Sequence, residues 1–344
     1  MSRKILTYML LAIMLVISAC AERNTSFQSD GNFTLLAQVP VVGDPCEIEI
    51  GNNHAYIALD QGGIGVINLE NHQLTWYPEI MAADSSVVQL FKNRSLAVSP
   101  KSDRLFFSEI QSADTIYLMD NSDPDNMVWI HGITGGTRDI IHLATYDLET
   151  PRPGHILDIA YCLSNRICLL GYDGAQGTTP YSAFTSEGIQ VSANVSGVAI
   201  DASHIFGAIQ QRGLAILEKA SGTLISELAV KGEAQHVVVQ NDYAYIAARQ
   251  GGLQIVDISD KANPVQVAEF IGTGYASDIA ISGDTVAISS GGGGCYVFDV
   301  SNPTDPKMIQ QITEGGYVNT LNMVDDTLIV GTRDNGIYFY KMNR

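Results

Sequence analysis

The chain has 344 residues and carries 37 acidic against 19 basic side chains, a formal charge of -18, with no Lys/Arg cluster to offset it. A surface this acidic lacks the basic footprint that nucleic acids and other polyanions require, and excludes them as partners. The length is sufficient to bury a large core, as one domain of repeated units or as two ordinary domains.

Ser2-Arg3-Lys4 precede an apolar run from Ile5 to Ile17, broken only by Thr7 and Tyr8, and Ser18-Ala19 then supply small residues before Cys20. A charged start, a short apolar stretch and a small-residue site make a secretion signal, and the run is short for a transmembrane helix. Val16-Ile17-Ser18-Ala19-Cys20 resembles the bacterial lipobox. That resemblance implies cleavage before Cys20, lipidation of Cys20 and, because Ala21 rather than Asp follows, sorting to the outer membrane. The sequence therefore predicts a lipoprotein signal peptide over 1–19, a lipidated cysteine with a polar tether over 20–32, and a folded domain over 33–344. The expected location is the bacterial cell envelope, with the membrane contacted through the N-terminal lipid.

Phe33 to Val39 has the pattern of a strand and is followed by Gly43. Glu47 begins a first unit that includes Gly63-Ile64-Gly65-Val66-Ile67-Asn68-Leu69. Ser95 to Val98, Arg104 to Ser108 and Thr115 to Asp120 make a second group of strands. Asp158 to Tyr161, Arg166 to Leu170 and Tyr181 to Thr185 make a further group, and Arg212-Gly213-Leu214-Ala215-Ile216-Leu217 belongs to the next. From Gly232 onward the pattern becomes periodic. Gln240 to Ala247, Ser282 to Ser289 and Val324 to Gly331 align without gaps at steps of 42 residues, which carry Gly232 onto Gly274 and Gly316, and Gly252 onto Gly294 and Gly336.

A fixed period with glycine punctuation is a repeat architecture. Within one unit, His236 to Val239, Tyr243 to Ala248, Leu253 to Ile258 and Val265 to Phe270 read as strands separated by turn residues. Four short strands in such a period make a propeller blade. The predicted fold is all-β, a single β-propeller of about seven four-stranded blades. The last unit stops after its third strand, Gly336 to Lys341, and Phe33 to Val39 fits the missing fourth, so the N-terminal strand is expected to complete the last blade and close the ring.

Gly252-Leu253-Gln254-Ile255-Val256-Asp257-Ile258-Ser259-Asp260 with Asn263-Pro264 resembles the LVIVD-repeat family of secreted bacterial β-propeller lipoproteins. Cys295-Tyr296-Val297-Phe298-Asp299-Val300-Ser301-Asn302-Pro303 repeats the pattern. The resemblance covers 233–344 and 43–70 and implies a scaffold, leaving function open.

Several positions are candidates for chemistry. Glu47, Asp158, His236, Asp278 and Thr320 fall where inner strands begin and are expected to line the central channel, as a polar lining or as a ligand site. Asp60, Arg249 and Arg333, in turns after second strands, are expected at the channel rim. The segments 71–88, 132–155 and 172–194 depart from the repeat, and His72, Trp76, Tyr77, Arg138, His142 and Tyr146 in the first two are candidate partner contacts. Cys162 and Cys168 flank a hairpin turn, leaving a disulfide or two free thiols open, while Cys46 and Cys295 read as buried thiols. Asp120 to Asn126 is oxygen-rich but lacks the central Gly and distant Glu of a calcium loop, and reads as a capped turn. Gly291 to Gly294 lacks the Lys-Ser/Thr of a phosphate loop and reads as a turn.

No catalytic signature, metal spacing or cofactor motif is present, so no catalytic residue, metal or cofactor is expected. Two readings of function remain. One is a non-enzymatic interaction scaffold for a protein or polymer partner. The other is a carbohydrate- or small-ligand-binding propeller, catalytic in its strongest form, that uses the acids and His236 at the channel.

Overall fold

In the computed structural model, the described residues are 31–81, 87–90, 92–109, 115–134, 139–152, 154–174, 178–180 and 188–343. The predicted signal peptide, Cys20, most of the tether, Arg138 and the expected strand Tyr181 to Thr185 lie outside them. Seven antiparallel blades stand around an axis. Their inner strands, in order, are Glu47–Gly51, Asn93–Ser99, His142–Arg152, Gly197–Ile200, His236–Gln240, Ile279–Ser282 and Val318–Val324.

The second and third strands of each regular blade are sandwiched between neighbouring blades, so both faces need hydrocarbon and the sequence runs apolar without alternation. His54–Ala58 is buried at every position, as is Thr285–Ser289. Seven apolar clusters result, one in each junction between blades. The seventh blade is closed as the sequence predicts: Phe33–Val39 pairs with Gly336–Met342, from Phe33 against Met342 to Val39 against Ile337. Inner strands run away from the mouth at which they begin. By antiparallel alternation Phe33 lies at the opposite face, where the Asn343 N–H also meets the Asn32 carbonyl at 2.7 Å.

The third blade departs from its predicted register by one strand. Asp158 sits in His155–Leu163, which is the second strand, and the inner strand is His142–Arg152. One side of an inner strand faces the channel and tolerates polar residues, so His-Leu-Ala-Thr-Tyr-Asp-Leu-Glu-Thr carries no apolar run to mark it. Much of the expected 132–155 insertion is thus regular structure.

The same strand pair corrects the disulfide alternative. Tyr161 pairs with Cys168 and Cys162 with Ile167. An offset of one residue turns two side chains to opposite faces of a sheet. Cys162 faces the fourth blade and Cys168 the second, and no disulfide joins them.

Candidate functional site at the channel mouth

The inner strands diverge too far for backbone pairing, and side chains at their starts span the gaps instead. The Glu47 Oε2 accepts the Leu96 N–H at 3.0 Å, from the first blade to the second. The Ser95 Oγ accepts the Leu143 N–H at 2.9 Å, and His142 Nδ1 accepts the Val198 N–H at 3.3 Å. His236 Nδ1 bonds to Asp278 Oδ1. Asp278 Oδ2 in turn accepts from the Thr320 hydroxyl at 2.7 Å and the Leu321 N–H at 3.0 Å. Asn322 joins the seventh blade to the first by donating to the Ile48 carbonyl at 2.6 Å. Much of the polar ring predicted from the sequence therefore clasps blade to blade.

Above this ring opens a cavity of about 610 Å³, lined among others by Asp44, Glu47, Asp60, Arg94, Asp139 and His142, with His236, Tyr275, Asp278, Tyr317 and Arg333 opposite. A narrower space of about 220 Å³ below it shares Glu47, His236 and Asp278 and adds Glu49. His142 Nε2 stands 2.9 Å from Glu47 Oε1, and the His142 and His236 rings meet edge to face with centroids 4.6 Å apart. Among the described residues, no three His, Cys, Asp or Glu side chains converge closely enough to share a metal ion.

Charges here are shaped by burial and by one another. Burial alone would depress the His142 pKa, but the Glu47 carboxylate, with Asp278 behind it, holds it above the ordinary imidazole value. Burial would raise Asp278, yet His236, Thr320 and the Leu321 N–H keep it below the usual carboxylate range. For Glu49 the opposing pull of His236 and the Ile50 N–H does not offset burial. Burial in the narrow space and the nearby Glu47 push its pKa up to about 8.

At the rim, the second residue beyond the second strand of the first, fourth and fifth blades adopts left-handed backbone, with φ 48° at Asp60 and 42° at Gln210 and Arg249. Each is pinned there by a bridge to the next blade: Asp60 to Asn93, Gln210 to Ala234 and Arg249 to Ala276. Asp60 takes Arg94 at 3.3 Å. Arg333 lies over the Tyr317 ring at 4.1 Å, and Arg249 over Tyr275 at 5.1 Å while also pairing with Glu233. Tyr275 and Tyr317 remain 42% and 38% exposed. The sequence reading missed these two tyrosines, although their 42-residue spacing places them at one repeat position.

Of the expected channel residues, Glu47, His236 and Asp278 line the cavity, and Thr320 is fully buried behind Asp278. Asp158 does not reach the axis, whereas His142, expected in a contact loop, does. The other expected contacts are scattered. His72 packs on Phe339 at 4.7 Å, and the Tyr77 hydroxyl bonds to the Pro124 carbonyl at 2.9 Å. The Trp76 indole N–H donates to the Gly62 carbonyl at 2.6 Å, and Tyr146 lies under Lys219 at the far face. The oxygen-rich 120–126 segment is a capped turn: Asp120 accepts the Ser122 N–H at 2.9 Å, and Asp123 accepts the Asp125 N–H at 3.2 Å.

The LVIVD repeat family matches residues 231–270 and 273–313, the fifth and sixth blades. Among solved structures, the chain is similar to U3-55K, with 13% identity, 91% of this chain and 99% of that chain covered, and a TM-score of 0.68. It is also similar to the β-propeller domain of Myceliophteria thermophila Cps50 (Swd1), with 11% identity, coverage of 90% and 100%, and a TM-score of 0.66. The WD40 β-propeller domain of Doa1 matches with 10% identity, coverage of 91% and 98%, and a TM-score of 0.68. Identities this low show the fold alone. No curated protein matches the chain.

Proposed function

We propose that this seven-bladed propeller, which carries LVIVD repeats in two consecutive blades, is a non-enzymatic cell-envelope lipoprotein that serves as an interaction scaffold. It holds a narrow polar partner, a glycan chain, in the channel mouth. The observation that carries this reading is the pair of exposed rings, Tyr275 and Tyr317, each backed by an arginine over a polar cavity. Flat aromatic faces beside carboxylate and guanidinium groups suit stacking on a sugar with hydrogen bonds to its hydroxyls. The tether from Cys20 joins the ring at the face opposite the mouth, so a lipid on Cys20 leaves the mouth pointing away from the membrane surface.

The test is a glycan array probed with the full-length protein extracted in detergent, beside a Tyr275→Ala/Tyr317→Ala variant and a Trp76→Ala variant. Retention of a glycan class that is lost on removing the two tyrosines and unchanged without Trp76 supports the reading. Binding that survives loss of both tyrosines moves the site off the mouth, and no glycan binding at all overturns the ligand class. Fractionation of a Cys20→Ser variant tests the anchor, which predicts its release from the membrane fraction.

A further inference from the structure

The face away from the mouth holds a second cavity, of about 470 Å³, between the third and fourth blades. It is built around a break in the repeat. Lys219 occupies the position that the fifth, sixth and seventh blades fill with Ile258, Val300 and Met342 and the second with the buried Asn121, and it keeps their shared backbone bond: the Lys219 N–H meets the Ser203 carbonyl at 2.8 Å, as Ile258 meets Asp242, Val300 meets Asp284, Met342 meets Asp326 and Asn121 meets Asp103. Those apolar residues are buried, Ile258 and Val300 within the interblade clusters. Lys219 is buried as deeply, 4% exposed, and carries an ammonium there.

That ammonium lies 2.5 Å from Asp158 Oδ2, 2.8 Å from the Asp201 carbonyl oxygen and 4.6 Å from the Tyr146 ring centroid. Asp158 is fully buried, on the strand face it shares with Ala160 and Cys162. His155 Nε2 sits 2.8 Å from Asp158 Oδ1. The His155 ring lies across Gly171, where a Cβ would come within 2.8 Å of that nitrogen and oblige the ring to shift. Residues of the third and fourth blades are thus fitted to one another at the cavity floor and wall.

Stability does not call for this arrangement. A buried ion pair recovers little of its desolvation cost, and hydrocarbon at both positions would hold the blades as well or better. We propose that the cavity binds a small organic cation. Asp158 cancels the Lys219 charge from within, and the carboxylates of Glu149 and Glu218, both exposed, stand at the cavity edge beside the Tyr146 and His155 rings. Carboxylates flanked by aromatic groups are the arrangement that recognises amines. Three acids against one lysine disfavour an anionic ligand.

The test is calorimetric titration of the full-length, detergent-extracted protein with putrescine at physiological salt, together with thermal melts. Three forms are compared: wild type, Glu149→Gln/Glu218→Gln, and Asp158→Leu/Lys219→Met. Saturable one-to-one binding, weakened about tenfold in each variant, is expected, with the Asp158→Leu/Lys219→Met form melting no lower than wild type. Absence of saturable binding in wild type overturns the proposal. So does unchanged affinity in the Glu149→Gln/Glu218→Gln form, which isolates nonspecific attraction to an acidic protein. A melt of Asp158→Leu/Lys219→Met far below wild type makes the pair a structural element and overturns it as well.

Discussion

Asp278 Oδ2 accepts a hydrogen bond from Thr320 Oγ1 at 2.7 Å, a contact between two residues one 42-residue repeat apart. The same carboxylate also takes His236 and the Ile279 and Leu321 N–H groups, so three inner strands converge on it. Asp278→Asn is expected to lower unfolding free energy by about 2–4 kcal/mol, because an amide accepts at one oxygen only and leaves buried donors unpaired. Thr320→Val removes one donor and costs about 1 kcal/mol. Urea denaturation of both single variants and the double variant checks this, and the two effects are expected to add to less than their sum.

Glu49 gives stability a pH dependence of defined sign. Its pKa is raised in the folded state to about 8 from 4.5, so the folded protein binds the proton more tightly than the unfolded chain does. The stability linked to that proton is fully present below pH 4.5 and is lost as pH rises through about 8. Glu49→Gln is expected to raise stability at pH 8 by ~1–2 kcal/mol, less than the full shift because channel water screens the charge, with a much smaller change at pH 5. Urea midpoints at the two pH values read this directly.

The four cysteines of the propeller are expected to form no disulfide and to react slowly. Burial pushes the thiols of Cys46 and Cys295 up to about 12, and that of Cys162 higher still, which leaves little thiolate to attack. Mass spectrometry after alkylation should show little labelling in native protein. All four should label in denaturant without a reducing agent.

Ring closure depends on Gly336, whose φ is 83° and whose Cα lies against the Val39 carbonyl in the joining strand. A Cβ would collide with that oxygen. Gly336→Ala is expected to cost about 1–3 kcal/mol and to expose Phe33–Val39 to protease before the rest of the ring. Limited proteolysis with N-terminal sequencing of the fragments tests the order of release.

The 42-residue period, the four strands in each unit, the closure of the ring and the acids and His236 at its axis were legible in the sequence. They follow from local chemistry: glycines at left-handed turns, unbroken apolar runs in strands buried on both faces, and Asp or Asn capping the turns after third strands. Where the third blade loses that signal, the local reading failed by one strand, exchanging the places of Asp158 and His142. The tertiary structure alone decided the rest. It brought His142 against His236 and Glu47 from three blades, turned Cys162 and Cys168 away from each other, and set Lys219 on Asp158 across a blade junction. Such contacts depend on how separate blades meet around the axis, and a periodic sequence specifies each blade far more fully than it specifies which side chains of different blades share a cavity.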